Sequence, residues 1–454
     1  MSQYIILMPE MLMLLLSIVS FIYGFVKRKD REILLLGALT FLLPLALLLY
    51  FYPAGEKVCG LVKTDEIVYI FRILILMTGF FVLLLSFGEL KGRSDKFAEF
   101  VFLLTIAVFG MNLMILSNDL LLLYLSVEAF SLSLYVLAGF FRQERRSVES
   151  AMKYFILGTV SSILLLASIV FFYAHVGTTS FEAFKISEPK NTPFLLSILL
   201  LLSSFAFKLS LVPFHAWAPD VYQGAPTSVT AFFSTAPKLA VFVALIKIFL
   251  SGAQKADFTG FIIILSALSM IAGNILALRQ RDLKRMFAYS SIAHGGYIFM
   301  AFLLLDQLII ASIIPYLIVY IFMNIGAFAV IMSINKGENI YNFNGLNKIS
   351  PVLALSMTVI LFSLTGIPPT AGFIVKFNLF KNVFMAGYGE LVFLGLLMSI
   401  LSAFYYLRIV FYMYEEKIVN VSLLESNTIN RHIAIISAAV LLLTGLYPKL
   451  ILLY

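Results

Sequence analysis

The sequence predicts an all-α polytopic membrane protein of about fourteen transmembrane helices, built as two inverted five-helix repeats in which helices seven and twelve are broken. Three observations carry that prediction. The chain has 454 residues, of which 61% are hydrophobic and 12% charged, and its mean hydropathy is +1.01; no soluble globular domain needs so much apolar surface. Apolar runs of 18 or more residues recur along the whole length, and each is long enough to cross a bilayer. Lys and Arg alternate between successive loops in step with those runs, except after span seven, where the loop has neither.

The spans run roughly over 4–26, 32–52, 67–89, 97–116, 119–141, 151–176, 194–222, 227–250, 258–278, 286–305, 308–334, 350–383, 387–414 and 431–453. The runs do not alternate as barrel strands would, so they read as helices. The first run is followed by KRKDRE at 27–32; a secretory signal carries its basic residues in front, so this run is expected to be a retained helix. Spans seven and twelve are too long and hold internal prolines, and each is expected to be two half-helices joined by an unwound turn.

Basic residues orient the chain. Loops after odd-numbered spans hold Lys27, Arg28, Lys29 and Arg31; Lys91, Arg93 and Lys96; Arg142, Arg145 and Arg146; Arg279, Arg281, Lys284 and Arg285; Lys336 and Lys348; Lys417 and Arg431. Loops after even-numbered spans hold only Lys57, Lys63, Lys185, Lys190 and Lys255. The odd loops are therefore expected in the cytoplasm and both termini outside. SLVPFHAW at 210–217 and SLTGIPPTAGF at 363–373 share a proline after a Ser-Leu start, five spans apart. Five is odd, so two such units must be inserted in opposite orientations. The expected organisation is a three-helix segment over 1–96, a first five-helix repeat over 97–250, a second over 258–415 and a final helix over 431–454.

Composition also excludes functions. The net charge of +8 comes from short loops between apolar runs, where it acts as a topology signal rather than a nucleic-acid surface. Cys59 is the only cysteine, which rules out an intrachain disulfide and argues against an iron–sulfur or Cys-zinc site. His175, His215, His294 and His432 are too scattered to argue for haem, and no GxGxxG or P-loop is present. The chain is expected to bind neither a redox cofactor nor a nucleotide.

Function is sought in the charges that remain inside the spans. A lysine at the centre of a membrane helix costs about 2.5–3.5 kcal/mol on insertion scales, which makes it a functional candidate by default. Lys208 and Lys238 flank the stretch KLSLVPFHAWAPDVYQGAPTSVTAFFSTAPK, each near mid-span. Glu128 lies mid-span in helix five, on one face with Tyr124, Ser131 and Tyr135; a protonated, hydrogen-bonded structural Glu is the plainer alternative. Lys208 precedes the Pro213 break, and moving a carboxylate partner would switch it between charged and neutral; a static ion pair is its alternative. Thr227, Thr230, Ser234 and Lys238 form a polar stripe along span eight, read either as a hydrated half-channel or as helix-packing glue. Lys247, nearer the outer end, is expected to snorkel to the interface. His294 shares a face with Ser290 and Tyr297 and can relay a proton or serve structurally. Lys376 follows the GIPPT break and would be the last group before release. Lys381 reads as an anchor, Trp217 as packing, and Glu10 is ambiguous. Charges on five helices near the midplane suggest a polar axis that moves protons rather than a solute pocket.

FHAWAPDVYQGAPTSVTAFFSTAPKLA, AYSSIAHGGYIFMA and SLTGIPPTAGFIVKF resemble the subunit N family of the proton-pumping NADH:quinone oxidoreductase, respiratory complex I. The resemblance covers roughly residues 95–415; APDVYQGAPT is more specific than the general antiporter-like motif, and the related subunits M and L and the multi-subunit sodium–proton antiporters usually differ around it. It implies an antiporter-like membrane-arm subunit of a translocase, without redox chemistry of its own. It implies a proton path through a Glu128–Lys208 pair, Lys238 and Lys376, to which His294 is added from its own position. It further implies subunits M and K as neighbours, and NADH, FMN, iron–sulfur clusters and quinone in other subunits. A bacterial plasma (inner) membrane follows, with both termini periplasmic. Ser228 stands where the family commonly has proline, and Val375 where it commonly has glycine. Two other readings stay open: a sodium/proton antiporter subunit, and a scaffold that only transmits conformational change.

Overall fold

With no water in hydrocarbon to bond the backbone, long apolar runs satisfy themselves as helices. The computed structural model describes residues 4–51, 57–187, 191–253, 257–334, 336–416 and 428–452. Lys190, Lys255 and Lys417, used above to orient the chain, lie outside the described residues, as do the side chains of Lys57 and Cys59.

The helices in chain order are α1 (Met8–Lys27), α2 (Asp30–Tyr50), α3 (Glu66–Glu89), α4 (Ser94–Leu116), α5 (Leu120–Ala138), α6 (Arg145–Val176), α7 (Thr192–Lys208), α8 (Ala218–Gly224) and α9 (Thr227–Phe233). They continue with α10 (Ala236–Leu250), α11 (Thr259–Leu278), α12 (Leu283–Phe299), α13 (Asp306–Met332), α14 (Leu346–Ile349), α15 (Pro351–Thr365), α16 (Ala371–Met385), α17 (Gly389–Tyr414) and α18 (Thr428–Leu446). Among the described residues, 12 segments are long and apolar enough to cross a membrane, Thr227–Leu250 counted as one; Thr192–Lys208 and Pro351–Thr365 are shorter apolar helices. The fold is thus the helical membrane class that the composition predicts. A hairpin between α2 and α3 is the one paired sheet among the described residues, with Lys57 opposite Thr64 and Gly60 in its turn at φ 54°.

The predicted breaks are present, and a further one appears. Span seven is α7 and α8, separated by Leu209–Trp217, with Ser210 in the left-handed region at φ 60°. Span twelve is α15 and α16, separated at Gly366, φ 91°. Span eight, expected to be continuous over 227–250, is interrupted at Ser234 and Thr235 between α9 and α10. The physical reason is Pro237: it offers no N–H to the carbonyl of Phe233, and its ring crowds that carbonyl, so the ladder stops one turn earlier.

The chain forms two compact units. One comprises Met1–Lys208 and Gly224–Phe258, the other Leu209–Gln223 and Thr259–Tyr454. The backbone therefore leaves the first unit directly after Lys208 and returns to it at Gly224. In the first unit α1 packs on α2 and α4, α5 on α4 and α6, α7 on α6, and α3 on α4, α9 and α10. In the second, α11 packs on α12 and α17, while α13 packs on α15, α16 and α18.

Glu10, ambiguous in the sequence, is buried in the first unit. Arg72 of α3 donates to its carboxylate through Nε (3.0 Å) and Nη2 (2.6 and 2.7 Å), and Nη2 also donates to the Ile6 carbonyl (2.8 Å). A planar guanidinium matches the carboxylate fork, so each desolvated charge is satisfied by the other. Removing one partner leaves a buried, uncompensated charge. Glu10→Ala is expected to destabilise the protein by about 3–5 kcal/mol, read as a lower thermal midpoint of the purified protein in detergent. The double variant Glu10→Leu/Arg72→Met is expected to recover most of that loss.

Candidate functional site

Each unit gathers its own set of charged and hydroxyl side chains, and in each a lysine bonds or stands beside a helix interruption.

In the first unit, Asp119 starts α5 by accepting from the backbone N–H of Leu121 (2.8 Å) and Leu122 (3.2 Å). That cap sets the register that places Glu128 and Ser131 one turn apart. Lys208 is the last residue of α7 and is only 5% exposed. Its Nζ donates to Ser131 Oγ (2.8 Å) and lies 5.7 Å from the Phe130 ring centroid and 5.9 Å from that of Tyr135. Glu128 is half-buried and accepts a hydrogen bond from Ser162 Oγ of α6. The direct ion pair that the resemblance implies is not formed between them. Ser131 and Ser162 stand on the lysine and the carboxylate instead, while Glu128 remains within electrostatic range of Lys208. Gly158 makes this arrangement possible, because a Cβ there would fall 2.1 Å from Tyr135 Oη.

Lys238 is the third residue of α10, directly after the α9–α10 interruption, and 2% exposed. Two hydroxyls of the stripe leading to it, and Thr235 beside them, bond back to the backbone of their own helix. Thr230 donates to the Pro226 carbonyl (3.1 Å), Ser234 to that of Ala231 (2.8 Å) and Thr235 to that of Ala231 (2.8 Å). These bonds favour the packing reading of the stripe over an open half-channel.

The start of α9 is held by a residue that the sequence did not single out. Glu89, at the end of α3, accepts from the N–H groups of Thr227 (2.9 Å) and Ser228 (3.2 Å) and from Ser228 Oγ (2.6 Å). A carboxylate suits the positive end of a helix. It also explains Ser228: a proline there would remove both the N–H and the hydroxyl that Glu89 uses. Lys247 does not snorkel. It is buried and donates to the carbonyls of Ile115 (2.7 Å) and Ser117 (2.6 Å), capping the end of α4. The physical reason is that the end of α4 is buried and its carbonyls lie within reach of the ammonium.

In the second unit, Leu209–Gln223 is pinned at both ends. Val212 N donates to Ser269 Oγ (2.9 Å), and Asp220 pairs with Arg285 (2.5 Å). Gln223 donates to Asp282 (2.9 Å) and accepts from Arg285 (3.1 Å), and Asp282 itself caps the start of α12 by accepting from Arg285 N (3.0 Å). The polar residues of APDVYQGAPT thus fasten α8 to the first turn of the helix that carries His294. Trp217 is buried near the Tyr222 ring (6.5 Å), consistent with packing.

His294 is 2% exposed and lies in a cage of tyrosines. Its Nδ1 is 2.9 Å from Tyr316 Oη, and its ring is 5.8 Å from Tyr297 and 5.4 Å from Tyr320. Tyr320 donates to Ser291 Oγ (2.8 Å), and Ser290 bonds Tyr406. Asn274 donates to Tyr297 Oη and accepts from Tyr405 Oη, both at 3.1 Å. Lys376 of α16 approaches the same Tyr297 ring at 5.1 Å and is 4% exposed. Its Nζ donates to the carbonyls of Leu364 (2.8 Å) and Thr365 (3.0 Å) and to Ser399 Oγ (3.2 Å). Lys376 therefore satisfies the orphan carbonyls at the end of α15. Gly366 has to be glycine here: its φ is +91°, and a Cβ would press to 3.0 Å on the lysine stem. Lys381 is exposed, as an anchor would be.

Of the predicted residues, Glu128, Lys208 and Lys238 share the first unit, and His294 and Lys376 share the second, joined through Tyr297. Sequence reasoning missed Tyr316, Tyr320, Tyr405, Tyr406 and Asn274. The available signal was polar residues in mid-span, Tyr316 and Tyr320 at i,i+4 spacing.

Comparison with known proteins gives a consistent picture. Residues 117–402 match the family described as "NADH:quinone oxidoreductase/Mrp antiporter, TM". The chain is 56% identical over 454 residues to NADH-quinone oxidoreductase subunit N 2 of Thermodesulfovibrio yellowstonii, covering 100% of both. Among solved structures, a chain of respiratory complex I from Thermus thermophilus superposes with a TM-score of 0.87 at 30% identity, over 98% of each chain. A chain of the Mrp complex from Dietzia sp. DQ12-45-1b gives 0.87 at 18% identity, over 98% of this chain and 95% of that one, which shows a common fold.

The Glu89 anchor is open to direct test. Glu89→Ala strips acceptors from two backbone N–H groups and one hydroxyl, and is expected to destabilise the protein by about 1–3 kcal/mol. Ser228→Pro removes only part of the same set and is expected to cost less. Thermal melts of the purified protein in detergent would rank the two.

Proposed function

The chain belongs to the NADH:quinone oxidoreductase/Mrp antiporter membrane family, within its subunit N branch, and from that premise we propose that its buried lysines carry protons across the membrane. It is a multi-pass, antiporter-like subunit of an NADH-quinone oxidoreductase complex, a translocase. The observation that carries the proposal is the placing of Lys208, Lys238 and Lys376. All three are 2–5% exposed; Lys208 ends α7, Lys238 stands in the first turn of α10, and Lys376 reaches from within α16 to the carbonyls at the end of α15. Lysines at such a price in hydrocarbon need a use beyond anchoring.

Quinone reduction elsewhere in the complex would alter charge along the membrane arm. The arrangement described here holds Lys208 on Ser131 and Glu128 on Ser162. Drawing Glu128 toward Lys208 would favour the ammonium, and releasing it would favour proton loss. Moving one charge against 100 mV costs about 2.3 kcal/mol, and one pKa unit is worth about 1.36 kcal/mol, so a shift of about two units suffices. Lys238, His294 and Lys376 are the further carriers, with Lys376 on the exit side. The tyrosines around His294 offer hydroxyls that donate and accept, which suits transfer between His294 and Lys376.

In this reading the chain itself holds no redox group, and NADH, FMN, iron–sulfur clusters and quinone are handled by other subunits. Its neighbours in the membrane arm are subunits M and K. The membrane is a bacterial inner membrane, with both termini periplasmic. Sodium/proton exchange has weaker support, since the likeness to the Mrp chain stands at 18% identity.

The test is Glu128→Gln and Lys238→Ala, each in the assembled complex in sealed vesicles, with donor:quinone turnover and proton uptake measured together. Proton uptake is expected to fall tenfold or more, about 1.4 kcal/mol or more in barrier, with assembly intact on a native gel. Uptake at the unmodified level in both variants would leave the scaffold reading in its place. Uptake that requires added sodium would favour the antiporter reading.

A further inference from the structure

A cavity of about 500 Å³ opens at the end of the first unit where α1, α4 and α5 meet beside their basic loops. Its size lies within the roughly 300–1,000 Å³ that small-molecule sites occupy. Phe21 and Phe102 form its apolar side, with ring centroids 5.0 Å apart. Its polar side carries Asp95, Lys96, Glu99 and Arg142.

Asp95 and Glu99 stand at i,i+4 on the first turns of α4, a spacing that puts two carboxylates side by side on one face. Among the described residues, no hydrogen bond or ion pair within the protein joins either of them to Lys96 or Arg142. Two acids and two bases sum to no net charge, so an anionic headgroup would meet two carboxylates with nothing to offer them. A zwitterion complements both halves. Of zwitterionic headgroups, one with a primary ammonium brings three N–H donors that two carboxylates can accept, whereas a quaternary ammonium brings none. Lys96 and Arg142 suit the phosphate. Val136, on the cavity wall, is apolar and exposed, as are Ile18 and Ile22 of α1 and Leu132 of α5, a surface that acyl chains can cover.

We propose that this cavity binds the headgroup of one phospholipid bearing a primary ammonium, the ammonium between Asp95 and Glu99 and the phosphate toward Lys96 and Arg142. The site lies apart from the charged sets described above, and the lipid fastens α1 to α4 and α5 from the bilayer side.

The test uses the intact complex in nanodiscs made from equal parts phosphatidylethanolamine, phosphatidylcholine and phosphatidylglycerol. Loosely held lipid is washed away with detergent, and the lipid that stays with the complex is quantified by mass spectrometry. The wild-type complex is expected to retain phosphatidylethanolamine over the other two, and Asp95→Asn/Glu99→Gln to lower that retention about fivefold. Arg142→Gln is expected to lower retention without changing the preference as the carboxylate changes do. Equal retention of the three lipids by the wild type overturns the proposal, as does unchanged retention by the double carboxylate variant. A photo-crosslinker placed at Gln143, on the cavity wall, gives a readout independent of folding effects. Labelling of lipid supports the proposal, and labelling of a neighbouring subunit overturns it.

Discussion

A helix interrupted inside a bilayer leaves N–H and C=O groups facing a medium that cannot bond them, and each such group left bare costs several kcal/mol. Much of what is unusual in this protein answers that constraint. Lys376 reaches back across the α15–α16 break to the carbonyls of Leu364 and Thr365. Glu89 takes the N–H groups at the start of α9. Lys247 closes the end of α4, and Ser269 receives the N–H of Val212 in the unwound stretch after Lys208. Charged side chains buried among apolar helices are here the caps of helix ends that water caps in a soluble protein.

The same placement suits these groups to the proposed chemistry. A lysine bonded only to carbonyl and hydroxyl oxygens donates as the ammonium or as the neutral amine, so its charge can change without stranding its partners. Ser131 and Ser162 have the complementary property, since a hydroxyl both donates and accepts. Lys208 and Glu128 can thus each remain bonded while the distance between them varies. Structural capping and the proposed proton carriage are compatible demands on one side chain.

How much of this the sequence shows depends on how local the cause is. Pro213 and the GIPPT run mark the breaks in spans seven and twelve because a missing N–H acts within one turn. Pro237 carried the same signal for span eight, but the apolar run from 227 to 250 masked it, and the break emerged only in the structure. Glu128, Lys208, Lys238, His294 and Lys376 are legible because a charge or imidazole in mid-span stands out. Ser131 and Tyr297 share the faces of Glu128 and His294 in the sequence, but partners brought in from other helices are not legible. Arg72 meets Glu10 across 62 positions and Glu89 meets Ser228 across 139, distances that no periodicity encodes. The tyrosines around His294 pass for ordinary aromatic packing until their hydroxyls are seen to converge. Lys247 was misjudged for a related reason: hydropathy places it near a helix end, but only the fold shows that the carbonyls of α4 lie within its reach.

Lys208 offers the most direct measurement. The assembled complex carrying Lys208→Ala would be compared with Lys208→Arg and the unmodified complex in sealed vesicles, following donor:quinone turnover and proton pumping, with assembly checked on a native gel. A proton-carrying Lys208 predicts that the alanine variant assembles but loses coupled turnover and pumping, and that arginine, which keeps its charge at all times, does not restore them. Pumping near the unmodified level in the alanine variant would contradict that role and leave Lys208 as a residue that only holds the end of α7.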